Sequence, residues 1–267
     1  IMRPIKGLEL VGEYTYDRKN WQKSYYAKKW EYTTEQLGSN NSVTSDYLFK
    51  SEDHEDYNAL NLYGTYNFSI KEDHMFKVMA GFNQERKQNS WISVQTHDMI
   101  APSAPSFTSA TGKIIPQNSY SDYAIRGAFY RINYNYKDRY LFEANGRYDG
   151  SSKFKPENRW DFFYGISGGW RITEEAFMKN IKWLNDLKIR LSYGEVGNQS
   201  GIDRYDGTQF YKFESQSGAY IGPNKGTIID TNGRIASLGR EWERIKNYNL
   251  GLDFSLFDSR LTGTAEV

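Results

Sequence analysis

Across residues 123–171 the side chains alternate in character with period two through three consecutive runs. Tyr130, Ile132, Tyr134 and Tyr136 share one parity, with Arg131, Asn133 and Asn135 on the other. After Lys137-Asp138-Arg139 the pattern resumes, setting Tyr140, Phe142, Ala144, Gly146 and Tyr148 against Glu143, Asn145, Arg147 and Asp149. A third run sets Trp160, Phe162, Tyr164, Ile166, Gly168 and Trp170 against Asp161, Gly165, Ser167, Gly169 and Arg171. Alternation of this length predicts strands with one apolar and one polar face. Trp160 and Trp170 share a face ten positions apart. On a strand tilted near 45° that spacing spans roughly 23 Å of height. The apolar band of a membrane β-barrel is about 25 Å tall and is bounded by aromatic girdles. Tyr136, Tyr140, Tyr148, Trp160 and Trp170 are accordingly the expected lipid-facing girdle.

Composition agrees with strands rather than helices as the crossing elements. No apolar run approaches the ~18 residues a transmembrane helix needs, and the mean hydropathy is -0.78. Polar residues facing a barrel interior would lower that mean without removing a lipid-facing stripe. Tyr 22, Phe 15 and Trp 7 make the chain 16% aromatic, and Tyr leads, as suits a water–lipid boundary. The net charge of +1 gives no pull toward nucleic acid. With no cysteine, neither a disulfide framework nor a thiolate metal site is available. The opening Ile1-Met2-Arg3-Pro4 has no signal-peptide pattern, so a chain bound for the outer membrane is expected to be a fragment.

Nine strand-like runs can be counted, joined by connections that alternate between short and long. The first occupies about 6–17, and a long polar segment runs from there to about residue 56. The second and third, 60–70 and 76–82, turn over at Lys71-Glu72-Asp73-His74. Another long segment covers about 84–122. After the three runs above, with a loop at about 150–157, a helix-like insert is expected at 174–186. Then follow a run at 187–193, a long connection over about 195–244, and a final hairpin turning at Asp258-Ser259-Arg260. Outer-membrane barrels place long loops outside and short turns on the periplasmic side. An odd count leaves the two termini on opposite sides, unlike a complete bacterial barrel of even strand number, and the two end strands would present unpaired backbone groups to lipid. The reading is an all-β, partial antiparallel transmembrane β-barrel, with residues 1–267 as one domain incomplete at both ends.

The runs YRINYNYKDRYLFEANGRYDGSSKF, NRWDFFYGISGGWRITEEAFMK and WLNDLKIRLSYGEVGNQ resemble the barrel of SusC/RagA-type TonB-dependent outer-membrane transporters. The segment REWERIKNYNLGLDFSLFDSRLTGTAEV resembles the next hairpin of that family. The resemblance implies about nine strands out of a barrel of about 22 around a plug. The plug, its TonB-contacting segment and the closing strand are expected to lie outside these residues. It further implies import of oligosaccharides or peptides, energised through TonB, beneath a SusD-like surface lipoprotein. No cofactor is implied.

Several clusters invite a functional reading. Trp21, Tyr25, Tyr26 and Trp30 crowd the first polar segment, Trp91 sits in the second, and Tyr205, Phe210, Tyr211 and Phe213 in the last. Exposed aromatics at such places can stack on sugars or contact a partner; the alternative is packing among the loops themselves. Glu52, Asp53, His54, Glu55 and Asp56 form an acidic cluster without the spacing of a calcium loop, and a solvated role is expected. His54, His74 and His97 are scattered, and no metal site or catalytic residue is assigned. Gly165, Gly168 and Gly169 lie in a strand pattern, so close backbone approach explains them better than a phosphate loop. Gly194-Glu195-Val196-Gly197-Asn198-Gln199 is expected to form a turn. On the polar parity stand Glu9, Glu13, Lys77, Arg131, Glu143, Arg147, Lys188, Arg190 and Asp253, which could contact a plug or passing substrate; generic lumen polarity with cross-strand ion pairs is the expected reading for any one of them. A competing class is a soluble β-rich carbohydrate-binding module, which would bury its apolar parity between two sheets.

Overall fold

The computed structural model describes the chain except residues 35–38, 44, 215–217, 219, 222, 231–234 and 238. Its main element is one nine-stranded sheet of β1 (Leu8–Ala27), β4 (Tyr47–Ile70), β5 (His74–His97), β6 (Ile115–Tyr136), β7 (Tyr140–Ser151), β8 (Trp160–Arg171), β9 (Leu184–Asn198), β14 (Glu243–Leu256) and β15 (Leu261–Glu266). These strands neighbour one another in that order, so β1 and β15 are the two edges. Three small hairpins occupy the long connections: β2 (Trp30–Thr34) with β3 (Ser39–Val43), β10 (Lys212–Glu214) with β13 (Ile228–Asp230), and β11 (Tyr220–Ile221) with β12 (Asn224–Lys225). Nine wall strands agree with the nine periodic runs.

The chain divides into two compact units. The first comprises Ile1–Tyr14, Ala59–Glu85 and Tyr123–Val267. Its register places like against like. Tyr134, Phe142, Gly168, Leu191 and Leu250 form one row across five strands, and Ile132, Ala144, Ile166, Tyr193 and Tyr248 another. The opposite face carries Asn133 beside Glu143, Glu143 beside Ser167, and Lys188 beside Asp253. Large and small residues interleave within the apolar rows. A Cβ at Gly146 would sit 2.7 Å from the Tyr130 ring and 2.8 Å from that of Phe162, so glycine is what lets both rings lie flat there. At the tight end of β6–β7, Lys137 (φ 51°) and Asp138 (φ 55°) both adopt the left-handed conformation, and the Arg139 N–H donates to the Tyr136 carbonyl. Two positive φ values in succession give a hairpin turn whose twist matches the flanking strands.

The second unit comprises Thr15–Asn58 and Arg86–Asp122. Here the even positions of β1 and β4 are polar and pair across strands: Arg18 to Asp56 at 2.8 Å, Asn20 to His54 at 2.6 Å and Gln22 to Glu52 at 3.1 Å. The odd positions carry aromatics instead. Tyr25 stacks on Phe49 with ring centroids 4.9 Å apart and meets Tyr47 edge-on at 5.6 Å. A 3₁₀ turn at Phe107–Ser109 is held by a reciprocal capping box between Ser106 and Ser109.

Three expectations need correction. The first two polar segments are not loops along most of their length: β1 continues to Ala27, β4 begins at Tyr47, β5 runs to His97 and β6 starts at Ile115. Along β1 and β4 the apolar residues move from even to odd positions near Tyr16, and a phase change in alternation reads as the end of a strand. The expected helix at 174–186 is two single 3₁₀ turns, Ile172–Glu174 and Ala176–Met178, and β9 has already begun at Leu184. Between those turns Glu175 is extended (φ -75°, ψ 145°), which interrupts any helix. The segment 194–198 is strand rather than turn, because β9 continues to Asn198.

The apolar face itself excludes the two-sheet sandwich. Ile166 is 47% exposed, Leu191 63% and Tyr248 74%, in rows that a sandwich would have to bury. Among the described residues no second sheet covers them.

Candidate functional site

The girdle residues stand in cross-strand register. Tyr136 is opposite Tyr140, and Tyr140 is opposite Trp170, at the tight-turn end of the first unit. Eight positions further along β7, Tyr148 stacks on Trp160 with centroids 5.2 Å apart and planes 18° apart. The end with the tight turn is held by Glu175. Its Oε1 accepts from the Tyr140 hydroxyl at 2.6 Å and from the Trp170 indole N–H at 3.1 Å, while Arg139 lies 3.1 Å from Oε2. The Tyr140 bond, aided by Trp170 and Arg139 and opposed by burial, holds the Glu175 carboxyl below its ordinary range.

The polar face is a ladder of ion pairs. Arg190 reaches Asp253 at 2.7 Å and Glu266 at 2.5 Å, Arg147 reaches Asp149 at 3.0 Å, and Arg131 lies 3.6 Å from Glu143. Near the long connections a hydrophobic cluster replaces charge: Phe154, Phe163 and Trp242 are all buried, with Ile202 packed against them. Phe154 and Trp242 lie 5.0 Å apart, and Trp242 meets Phe163 edge-on at 5.5 Å. The indole N–H of Trp242 donates to the Arg159 carbonyl at 3.0 Å. Arg244 sits over the Phe163 ring and bridges Asp161 and Glu195. Ser151 Oγ donates to Gln199 Oε1 at 2.7 Å, so the connection 199–242 is fastened at both ends to the β7–β8 loop. A Cβ on Gly197 would lie 2.3 Å from Phe163 Cζ, which is why the ring can cross β9 at that point.

The aromatic candidates fall into both units, and the structure does not gather them into one site. Trp21 and Tyr26 belong to β1, Trp30 to β2 and Trp91 to β5, not to loops. Trp21 and Trp30 are exposed, and Trp91 is half-buried. Tyr26 is committed internally: its hydroxyl donates to Asp46 at 2.5 Å, which pushes the phenol up to about 12. Burial opposes the ionised Asp46, but the Tyr26 hydroxyl and the Met99 and Asp98 N–H groups outweigh it and hold that carboxyl low. In the first unit Tyr205 and Phe210 meet edge-on at 5.7 Å, and Tyr211 is exposed. The side chain of Phe213 lies outside the described residues.

Four of the five members of the acidic cluster, Glu52, His54, Glu55 and Asp56, are engaged in pairing. Glu55 accepts from Lys87 at 2.9 Å and from Asn89 at 3.0 Å, and Lys19 lies at 3.5 Å. The bonds from Lys87 and Asn89 lower its carboxyl to about 2. Sequence reasoning passed over Glu175 and Trp242. The first followed a strand where a helix was expected, and the second stood in a connection read as unstructured.

These features define a membrane-barrel wall, and comparison with known proteins gives it a family. Residues 5–267 match the TonB dependent receptor-like, beta-barrel family, and the chain belongs to it. Members of this family are outer-membrane transport proteins of Gram-negative bacteria, not enzymes. The chain is 38% identical over 136 residues to TonB-dependent receptor SusC of Bacteroides thetaiotaomicron, covering 51% of this chain and 13% of that protein. It is 32% identical over 213 residues to TonB-dependent receptor P26 of Formosa agariphila, covering 73% of this chain and 20% of the relative. The chain thus spans a fifth or less of the length of these curated relatives. The RagAB peptide transporter superposes with a TM-score of 0.76 at 23% identity, over 98% of this chain and 28% of that one. The open-open state of the RagAB peptide importer gives 0.78 at 22% identity, over 98% and 27%. At that identity the likeness speaks to the fold, and it places the nine strands as part of such a barrel.

Proposed function

We propose that residues 1–267 are a partial barrel domain, continued at both edges, of an active transporter that imports oligosaccharides or peptides with energy supplied through TonB. One observation carries this reading. The exposed apolar rows are bracketed by Tyr140 and Trp170 at one end and Tyr148 and Trp160 at the other, and they back directly onto a charged face. A wall of that kind separates lipid from an aqueous path. The plug and its TonB contact belong to parts of the transporter beyond these strands, and a SusD-like lipoprotein would cover the outer opening. The likeness to the RagAB peptide transporter supports a peptide cargo; an oligosaccharide cargo is the alternative that the family resemblance implies.

Within this reading Trp21, Tyr26, Trp30, Trp91, Tyr205, Phe210 and Tyr211 are the candidate contacts for substrate or lid. Trp21, Trp30, Phe210 and Tyr211 are the better placed, being exposed, whereas the Tyr26 hydroxyl is occupied by Asp46. The test is uptake by cells with and without the gene for the intact transporter, together with affinity purification of that transporter. Loss of growth on one oligomer class and recovery of a surface lipoprotein are expected. Unchanged uptake of every oligosaccharide and peptide tried would sink the proposal.

A further inference from the structure

Beside the aromatic cluster that fastens the connection 199–242 lies a cavity of about 360 Å³ with an unusual charge balance. Lys153, Lys155, Arg159 and Arg204 line it, and Glu157 is its single carboxylate. Neighbouring acids are engaged elsewhere: Asp206 with Arg240 at 2.8 Å, and Asp161 with Arg244. Arg159 Nε is buried and has no hydrogen-bond partner among the described residues. Lys155 likewise has no ion pair there. An orphaned buried guanidinium N–H is costly and is ordinarily satisfied by a carboxylate, water or bound anion.

Position tells what could supply that anion. Lys153 and Arg204 both lie over the ring of Tyr123, at 5.4 and 5.3 Å from its centroid. Tyr123 has the parity of Arg131 on β6, which is the lumen side of the wall. Phe163, whose cluster adjoins the cavity through Phe154, also has the lumen parity of β8. The cations therefore face what passes through the barrel and not the lipid headgroups. The volume falls within the usual range for small-ligand sites, about 300–1,000 Å³. It suits one sugar ring or one acidic side chain.

We propose that this cavity is an anion subsite that takes a carboxylate or sulfate group carried by the imported oligomer. Arg159 supplies the planar fork that suits an oxyanion, and Lys155 and Lys153 add point charge. Tyr205, also in the lining, offers a ring edge to the rest of the unit. The shared chemistry admits a uronate or sulfated oligosaccharide, or a peptide with an acidic residue. The inference deepens the import reading and rests on it for the direction from which the ligand arrives.

Binding to the purified intact transporter in detergent tests it, using matched pairs of probes. One pair is a sulfated or uronate oligosaccharide against its neutral counterpart, and the other a glutamate-containing peptide against its glutamine form. The acidic member of one pair is expected to bind more tightly, and which pair it is identifies the source. In a Lys155→Gln, Arg159→Gln double variant that preference should fall about tenfold, equivalent to roughly 1.4 kcal/mol, while neutral binding is kept. Glu157→Gln should strengthen the preference, a gain that misfolding cannot imitate, and Lys155→Gln alone serves if the double variant does not assemble. Absence of any preference, or equal loss of both members of a pair, overturns the proposal. A preference that is retained without cellular uptake supports the subsite and sinks the transport reading instead.

Discussion

Tyr140 on β7 and Trp170 on β8 stand opposite each other in register and donate to the same oxygen, Glu175 Oε1. Two strands are thereby clipped at the tight-turn end of the sheet by a residue belonging to neither. Both rings are amphipathic, and each turns its polar group to Glu175 at the end of the exposed apolar rows. Glu175→Ala should lower the unfolding midpoint of the transporter in detergent and shift the tryptophan emission that reports on Trp170. Glu175→Gln retains one acceptor and should lie between alanine and the wild type. Equal midpoints for all three would show that the clip contributes nothing.

The turn between β4 and β5 offers a gain in stability. Lys71 (φ 51°) and Glu72 (φ 58°) both occupy the left-handed region, where a Cβ costs on the order of 1–2 kcal/mol and glycine does not. The Glu72 side chain has no partner among the described residues. Glu72→Gly should therefore raise stability by up to about 1 kcal/mol despite the more flexible unfolded chain. Denaturant unfolding of the folded transporter would show it, and a loss of stability would contradict the backbone argument.

The wall strands of the first unit were legible because an apolar face backed by a charged one enforces a strict alternation. Trp160 to Trp170 and Tyr140 to Tyr148 carry that pattern without interruption. In the second unit the pattern changes phase, with polar pairs at the even positions and aromatics at the odd. Along β1 the apolar residues are Leu8, Leu10, Tyr14 and Tyr16, then Trp21 and Tyr25, so the strand reads as ending where only its alternation shifts phase. Glu175 was missed for a related reason. Its role depends on two side chains that come together only when β7 and β8 pair. The cation-lined cavity is equally invisible along the chain, because Arg159 and Arg204 are far apart in sequence and line one cavity only when the connection 199–242 folds back on the β7–β8 loop.

Glu55 gives the second unit a pH dependence of defined sign. Its carboxyl is lowered from 4.5 to about 2, first by the Lys87 bond and then by that of Asn89. A depressed folded value means that the unfolded chain binds the extra proton more readily across this interval. The stabilisation is therefore complete above about pH 4.5 and fades as pH falls toward 2. Hydrogen exchange of β4 and β5 amides at pH 7 and at pH 3 should show faster opening at the lower pH. In Glu55→Gln the two rates should draw together. An unchanged pH response in that variant would place the acid sensitivity elsewhere.

Gly197 is the residue on which docking of the connection 199–242 turns. Phe163 lies across β9 over Gly197, with Trp242 against its edge and Arg244 above its face. A methyl group at 197 would meet Phe163 Cζ at 2.3 Å, so the ring must leave. It cannot do so without opening the contact with Trp242 and weakening the bond from the indole N–H to the Arg159 carbonyl. Gly197→Ala should cost about 1–3 kcal/mol, as overpacking of a filled site does. The strand itself should persist, because β9 remains paired with β8 and β14 on both sides. The expected signature is selective: protease cleavage within 199–242 accelerates and tryptophan emission moves to the red, while the heat resistance of the barrel in detergent changes little. Phe163→Leu in the Gly197→Ala background should restore part of the protease resistance by making room for the new methyl. If cleavage is unaffected by Gly197→Ala, the cluster does not hold the connection to the wall.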